Sequence, residues 1–533
     1  MSTSPTPTRA DIAAAPPAAA AARRQGRLVF AATWMLTAVI GILWALATPI
    51  GGSPDEPAHL VKAASVARGQ FVGEPSHIGH IVQVPRYVAA AHGVGCMVFE
   101  KDVPADCIAA HPENPGEIAD STTTAGLYNP VYYLLVGWPS LLFGDITGIY
   151  AMRIVSVVLT TLFIAFAARL SLGLGRPALS LAAVGVVATP TLLFLTGAVN
   201  PNALEVTTTL AAFTAMLAVV RRGPEASIGG PLAIAIVSTV LGVQMRGLSP
   251  LWFAVALAAP LILIPWDRLR ALLQRRVVWV TVAAVLAATV LAALWTVSSS
   301  SLTGSLDDKQ HMQQYPGVGT SFLTGFAVTL LDTFNHGTQM IASFGWLDTP
   351  APQAVYFVWS ALTGALVLAG VAILRGRRLV FGSAIVLALV LLPPLAQAAY
   401  VTAGGYIWQG RYTLPLFAIA VVGLAVVIGE RAGSAARADP VDAEAEAEET
   451  ARSLTRLFAV VWAGWALSQA YCYAIALKRN AAGADATWAA VIRDPAWAAP
   501  GGNALLMGVF AVVVLSTAFA AWWATARRRQ RAG

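Results

Sequence analysis

Thirteen stretches of this chain run for roughly 20 residues with scarcely a charge, long enough for a helix to cross the hydrocarbon core of a bilayer. They are residues 28–50, 127–144, 149–171, 178–197, 201–220, 230–245, 249–266, 277–297, 352–374, 378–401, 412–430, 453–477 and 503–525. Lipid offers the backbone no hydrogen-bond partner, so such runs must be helical. Composition agrees. Charged residues make up 11% of the 533 positions and apolar ones 57%, where a soluble protein carries roughly 25% charged. That balance excludes a disordered chain, a secreted disulfide scaffold and an ordinary cytosolic enzyme. The expected fold is all-α: a polytopic membrane protein with about 12–13 transmembrane helices.

The net charge of +7 does not point to nucleic acid. Its arginines sit in short segments between apolar runs, at 221–222, 268–276, 375–378, 431–456 and 527–531, which is the positive-inside pattern. Those segments are expected in the cytosol, with both termini. Residues 1–26 read as a disordered cytosolic tail and 27–430 as one transmembrane module. Within it, 51–126 is a large first extracytoplasmic loop and 298–351 a second. Residues 431–452 form a cytosolic linker, and 453–533 form C-terminal transmembrane helices with a basic cytosolic tail. Thirteen crossings would put the two ends on opposite sides, so one run is not a full crossing. The suspects are 127–144 and a missed segment at 320–346. Cys96 and Cys107, on the oxidising side, suggest a disulfide, with two free thiols as the alternative.

The densest polar signal follows the first run: Gly-Gly-Ser-Pro-Asp-Glu-Pro-Ala-His-Leu-Val-Lys, residues 51–62. It reads in two ways. Ser53 and Glu56 make a capping box with Pro54 at the first helical position, which needs no function. Alternatively, Asp55, His59 and Lys62 share one helix face, with Glu56 one residue round, at the membrane surface. A carboxylate there suits proton abstraction from a hydroxyl. Asp55 and Glu56 also suit a divalent cation, magnesium or manganese, held against a phosphate. Gln409, Arg411 and Tyr412 open a later run, and Arg411 offers a fork of donors for phosphate or else an interfacial anchor. Trp346 suits a sugar face or an aromatic belt. Asp348 suits sugar hydroxyls or a turn before Pro350. Asn202 and Arg246 lie at further turns on the same side. There is no zinc-type spacing among the histidines, no Walker loop and no nucleophile elbow.

Four segments in order, Pro54–His59, Asn129–Tyr133 (with Tyr132), Gly345–Asp348 and Gln409–Tyr412, resemble the bacterial membrane proteins grouped as domain-of-unknown-function family 2142. That family is similar to the GT-C glycosyltransferases, many-span enzymes that take sugars from polyprenyl phosphate and usually invert the anomeric centre. The resemblance implies Asp55 as catalytic carboxylate, Glu56 beside it, and Arg411 for the donor phosphate. The acceptor would be a glycan, lipid or protein of the cell envelope. The chain departs from the pattern at Asn202, where an acid is expected, near Arg246, where a Lys is, and before Tyr132, where a proline is missing. Rival readings are a transporter or flippase of lipid-linked saccharides and a non-catalytic envelope-assembly protein. Few ionisable residues lie mid-run, which leans away from transport.

Overall fold

A computed structural model describes residues 17–108, 112–223, 226–301, 316–435 and 443–530. Among them, nine helices are long and apolar enough to cross a membrane: Ala20–Ala47, Thr147–Ser171, Pro201–Arg221, Arg276–Ser298, Gln353–Ile373, Arg377–Gly404, Gly410–Arg431, Thr455–Ala482 and Asn503–Ala524. The pair Pro177–Val187 and Pro190–Thr196, bent by 65°, makes a tenth if it is one span.

The count falls below 12–13 because four of the apolar runs are interrupted. The run 178–197 breaks before Pro190, where Thr189 caps the next helix by accepting the Leu192 N–H at 3.1 Å. The run 249–266 is helical to Ala258 and then tightens into a 3-10 turn that contains Pro260. Gly229–Gly242 has 14 residues, or roughly 21 Å at 1.5 Å per residue, short of a bilayer core of about 30 Å. The run 127–144 gives Val131–Gly137 and a 3-10 turn, Trp138–Leu141, with Pro139 inside. Proline alone does not decide the matter: Pro393 and Pro394 lie within the continuous Arg377–Gly404 helix.

Pro201–Arg221 and Gly410–Arg431 are buried almost throughout and form the axis of the bundle. Arg276–Ser298, Gln353–Ile373 and Asn503–Ala524 lie outside it and expose Leu291, Phe357 and Val512. Such an apolar exterior suits a lipid solvent. The helices past residue 452 belong to the same core. Tyr473 packs edge-on against Trp44 at 5.1 Å between centroids and donates to the Leu43 carbonyl at 3.1 Å.

The first loop contains the helix Glu56–Ala67 and a three-stranded antiparallel sheet, Glu74–Ser76, Gly79–Pro85 and Ile118–Thr123 in that order. Cys96 and Cys107 are joined in a disulfide. The second loop is not irregular. It folds into Phe322–Leu331, Thr333–Ala342 and a hairpin of Ser343–Phe344 with Thr349–Pro350; residues 302–315 lie outside the described residues. Of the 1–26 tail, residues 1–16 lie outside the described residues, and the first helix already begins at Pro17. The 431–452 linker is likewise helical up to Ala435 and from Ala443, with 436–442 outside the described residues.

Candidate functional site

Asp55 stands where the chain turns from the first span into the Glu56–Ala67 helix. Its backbone is left-handed, φ 62° and ψ 0°. An L-residue there costs roughly 1–2 kcal/mol, and Asp and Asn tolerate it best. The capping box is not formed. Asp55 holds the N-cap position without a side-chain cap, and the buried Ser53 hydroxyl has no partner. The strained turn instead sends the two acids to different places.

Glu56 goes inward. Its carboxylate is fully buried and accepts from Arg153 Nε at 2.7 Å and Nη2 at 2.5 Å, from the Gly51 N–H at 3.2 Å and from the Val199 N–H at 3.1 Å. Arg153 also donates to the carbonyls of Ala45, Thr48 and Pro49, the end of the first span. This is a clasp between span and loop, and no lone pair of Glu56 is left over for chemistry.

Asp55 stays half exposed, at 46% of its side chain, and forms an ion pair with Arg411, 356 residues away. Burial of the site works to raise the Asp55 pKa. The Arg411 guanidinium, with Arg246, outweighs it, so the carboxyl sits below its ordinary value. Arg411 also donates to the Pro54 carbonyl at 3.3 Å and the Tyr412 hydroxyl at 3.3 Å. Arg246 lies across the Tyr412 ring at 3.9 Å, while Arg411 is 5.2 Å from the same ring. One phenol thus carries two guanidinium groups.

His59 contacts the same group. Burial drives its pKa down to about 3, so the ring is neutral, and Nδ1 lies 2.8 Å from the Tyr133 hydroxyl. Tyr128 is 5.7 Å away between ring centroids. Lys62 is one turn further on. It donates to the carbonyls of Phe71 and Gly126 and lies 5.9 Å from the Tyr133 ring.

Two loops brace this arrangement. Asn200 caps the Pro201–Arg221 helix, accepting the Asn202 N–H at 3.0 Å, and donates to the Pro54 carbonyl at 3.1 Å. Gly410 lets the backbone carrying Arg411 lie against the Thr333–Ala342 helix: a Cβ there would stand 2.1 Å from the His336 carbonyl. Trp346 donates its indole N–H to the Gly51 carbonyl at 3.1 Å and meets Phe99 edge-on at 6.2 Å.

Asp55, His59, Arg246, Arg411 and Tyr412 therefore come together as one interacting group. Four buried polar atoms beside it have no protein partner: Ser53 Oγ, Asn202 Nδ2, Gln409 Oε1 and Arg411 Nε. Unsatisfied groups of this kind mark a place for ligand or water. Tyr132 does not join them, because its hydroxyl bonds Ser156 at 2.9 Å; its neighbour Tyr133 takes that place. Asp348 is engaged by the buried Arg479 at 2.7 Å, which also holds the carbonyls of Met97, Glu100 and Val103.

Asp55 and Glu56 each face a different arginine, and among the described residues no three His, Cys, Asp or Glu side chains form a group able to hold a metal. Sequence reading passed over Arg153 and Arg479, saw Tyr133 only as part of the Asn129–Tyr133 motif, and gave no site role to Glu205. Arg153 and Glu205 did leave a signal, each a lone charge inside an apolar run.

A crystal structure of ArnT from Cupriavidus metallidurans bound to undecaprenyl phosphate is similar at 14% identity and a TM-score of 0.42, covering 92% of this chain and 75% of that one. No curated protein matches the sequence. The family of predicted membrane proteins DUF2142 matches residues 38–420. The chain belongs to that family.

Proposed function

We propose that this protein is a membrane glycosyltransferase that moves a sugar from a polyprenyl-phosphate donor to a cell-envelope acceptor on the extracytoplasmic face, with both termini in the cytosol. The observation that carries this reading is the Asp55–Arg411 pair, a half-exposed carboxylate held on a left-handed turn beside two guanidinium groups. The similarity of the family to GT-C enzymes points the same way.

The chemistry follows from the pair. The donor phosphate arrives with negative charge and competes for Arg411, whose planar fork suits two phosphate oxygens. As Arg411 turns to the phosphate, Asp55 loses the cation that lowers its pKa and becomes a stronger base. Asp55 then takes the proton of the acceptor hydroxyl while that oxygen bonds to the anomeric carbon. The bond from that carbon to the phosphate oxygen breaks, and its electron pair leaves with the polyprenyl phosphate. Attack opposite the leaving group inverts the centre. The departing charge meets Arg411 and Arg246. Gln409, Asn202 and Ser53 supply unsatisfied polar atoms for sugar hydroxyls.

The test is Asp55→Asn in proteoliposomes with labelled polyprenyl-phosphate hexose and pentose donors and native membranes as the acceptor source. Loss of one positioned base lowers the rate by about 10²–10⁴. Donor binding is expected to persist, since Arg411 remains. A variant that transfers at the wild-type rate refutes the role of Asp55.

A further inference from the structure

Pro201–Arg221 is the most enclosed span, and it holds one acid, Glu205. The side chain is 1% exposed, one helical turn beyond Asn202. A buried charge in a span needs a partner or a purpose.

Glu205 is tied to the turn that carries Arg246. Its Oε1 accepts the Ser249 hydroxyl at 2.5 Å, and the same Ser249 oxygen accepts the Arg246 backbone N–H at 3.0 Å. The turn closes with the Ser249 N–H donating to the Arg246 carbonyl at 3.0 Å. From there Arg246 reaches over the Tyr412 ring at 3.9 Å, and its charge interacts with that of Glu205. Arg411 approaches the same ring and pairs with Asp55 at the far end. Arg246, Tyr412, Arg411 and Asp55 thus follow one another in a row, and Glu205 stands behind that row, joined to the Arg246 turn through the Ser249 hydroxyl rather than by a direct ion pair.

The two ends differ. Two guanidinium groups on one phenol repel each other unless each has a counter-charge. Asp55 is half exposed, so a competing anion can replace it. Glu205 is closed off and bonded to Ser249, so it cannot leave. The row, with Glu205 behind it, has one exchangeable end and one fixed end.

We propose that Glu205 is a positioning residue, the fixed counter-ion that holds Arg246 against Tyr412 and leaves Arg411 free to exchange Asp55 for a phosphate oxygen of an anionic lipid. The ligand half of this inference rests on the polyprenyl-phosphate reading above; the counter-ion half does not.

The test uses the purified full-length protein in detergent, with decaprenyl phosphate as probe and decaprenol as the uncharged control. Glu205→Gln is expected to weaken decaprenyl phosphate binding by roughly tenfold or more, about 1.4 kcal/mol per decade. Decaprenol binding is expected not to change, and Glu205→Asp, which keeps the charge, to recover most of the loss. Melting supplies a readout that needs no ligand. Arg246→Met strands a buried acid and lowers the melting temperature, and adding Glu205→Gln to it raises that temperature again. Wild-type affinity in a well-folded Glu205→Gln, or melting shifts that merely add, would overturn the proposal. If wild type binds both probes equally while the melting cycle shows coupling, the phosphate ligand and the donor reading fall together, and the counter-ion pair stands.

Discussion

Neighbouring acids with opposite fates make a sharp prediction. Glu56→Gln removes the charge from a carboxylate that receives two bonds from Arg153 and one each from Gly51 and Val199, all with no exposure of either ionic side chain. Breaking a buried pair from one side typically costs 3–5 kcal/mol, because the other charge stays buried without a partner; the expected loss is about 4 kcal/mol. Arg153 would still bond three carbonyls, but its charge would be uncompensated. Asp55→Asn changes a pair whose acid is 46% exposed but whose Arg411 is buried, so the loss is expected to fall between the roughly 1 kcal/mol of an open pair and the roughly 3–5 kcal/mol of a closed one. The amide still accepts from Arg411, and asparagine tolerates the left-handed turn. Both variants can be followed by thermal melting of the detergent-purified protein, scored by the monodisperse fraction on size-exclusion chromatography. Glu56→Gln is expected to melt further below wild type than Asp55→Asn does, with activity lost in the second. If Glu56→Gln melts with wild type, or if the two shifts match, the division between structural and reactive acid is wrong.

Lys62 predicts a pH dependence. Burial pushes its pKa down from 10.5 to about 7, so between those values the folded chain binds fewer protons than the unfolded one. Stability should therefore climb as pH rises from about 7, and Lys62→Met should flatten the climb in melting curves. The Val131–Leu141 segment predicts a depth. Its eleven residues cover roughly 16 Å, too short to cross, and Leu134, Leu135, Trp138 and Leu141 are exposed along one face. A spin label at Leu135→Cys in vesicles should sit about 5–10 Å below the phosphates, protected from a water-soluble nickel relaxer; bulk-like accessibility would exclude an interfacial helix. Cys472 is buried and the other two cysteines are bonded, so one label reports.

Much of this architecture is legible in the residues because lipid allows few choices: a long apolar run must be a helix. What is not legible is where such a run breaks. Hydropathy treats 127–144 and 149–171 alike, yet Pro139 and the packing of Gly137, whose Cβ would stand 2.1 Å from the Ala63 carbonyl, make the first a short helix lying against Glu56–Ala67. The site was legible only in part. The spacing of Asp55, His59 and Lys62 placed the helix face, and Arg411 was singled out by its motif. Spacing could not tell Asp55 from Glu56, since one left-handed residue decides which of them turns inward. Nor could it pair Arg153 with Glu56 or Arg479 with Asp348, because each partner lies on a distant helix.

Three arginine–carboxylate pairs with a buried arginine, Arg153–Glu56, Arg411–Asp55 and Arg479–Asp348, show why only one of them is suited to chemistry. Arg153, Arg411 and Arg479 are all buried, and each also donates to backbone carbonyls of the first loop or its entrance. As arginines they are equivalent: a delocalised cation with five donors can satisfy an acid and several carbonyls at once, which lysine cannot. The difference lies in the acids. Glu56 is 0% exposed and Asp348 6%, so for either one separation would leave two charges without solvent. Asp55 is 46% exposed, so water can take over the acid as the pair opens, while Arg411 needs an incoming anion. The two closed pairs fix the loop to the spans, and their rigidity holds the open pair in place. A reactive pair needs both properties, a fixed position and a low cost of parting, and in this chain only Asp55–Arg411 among these three combines them.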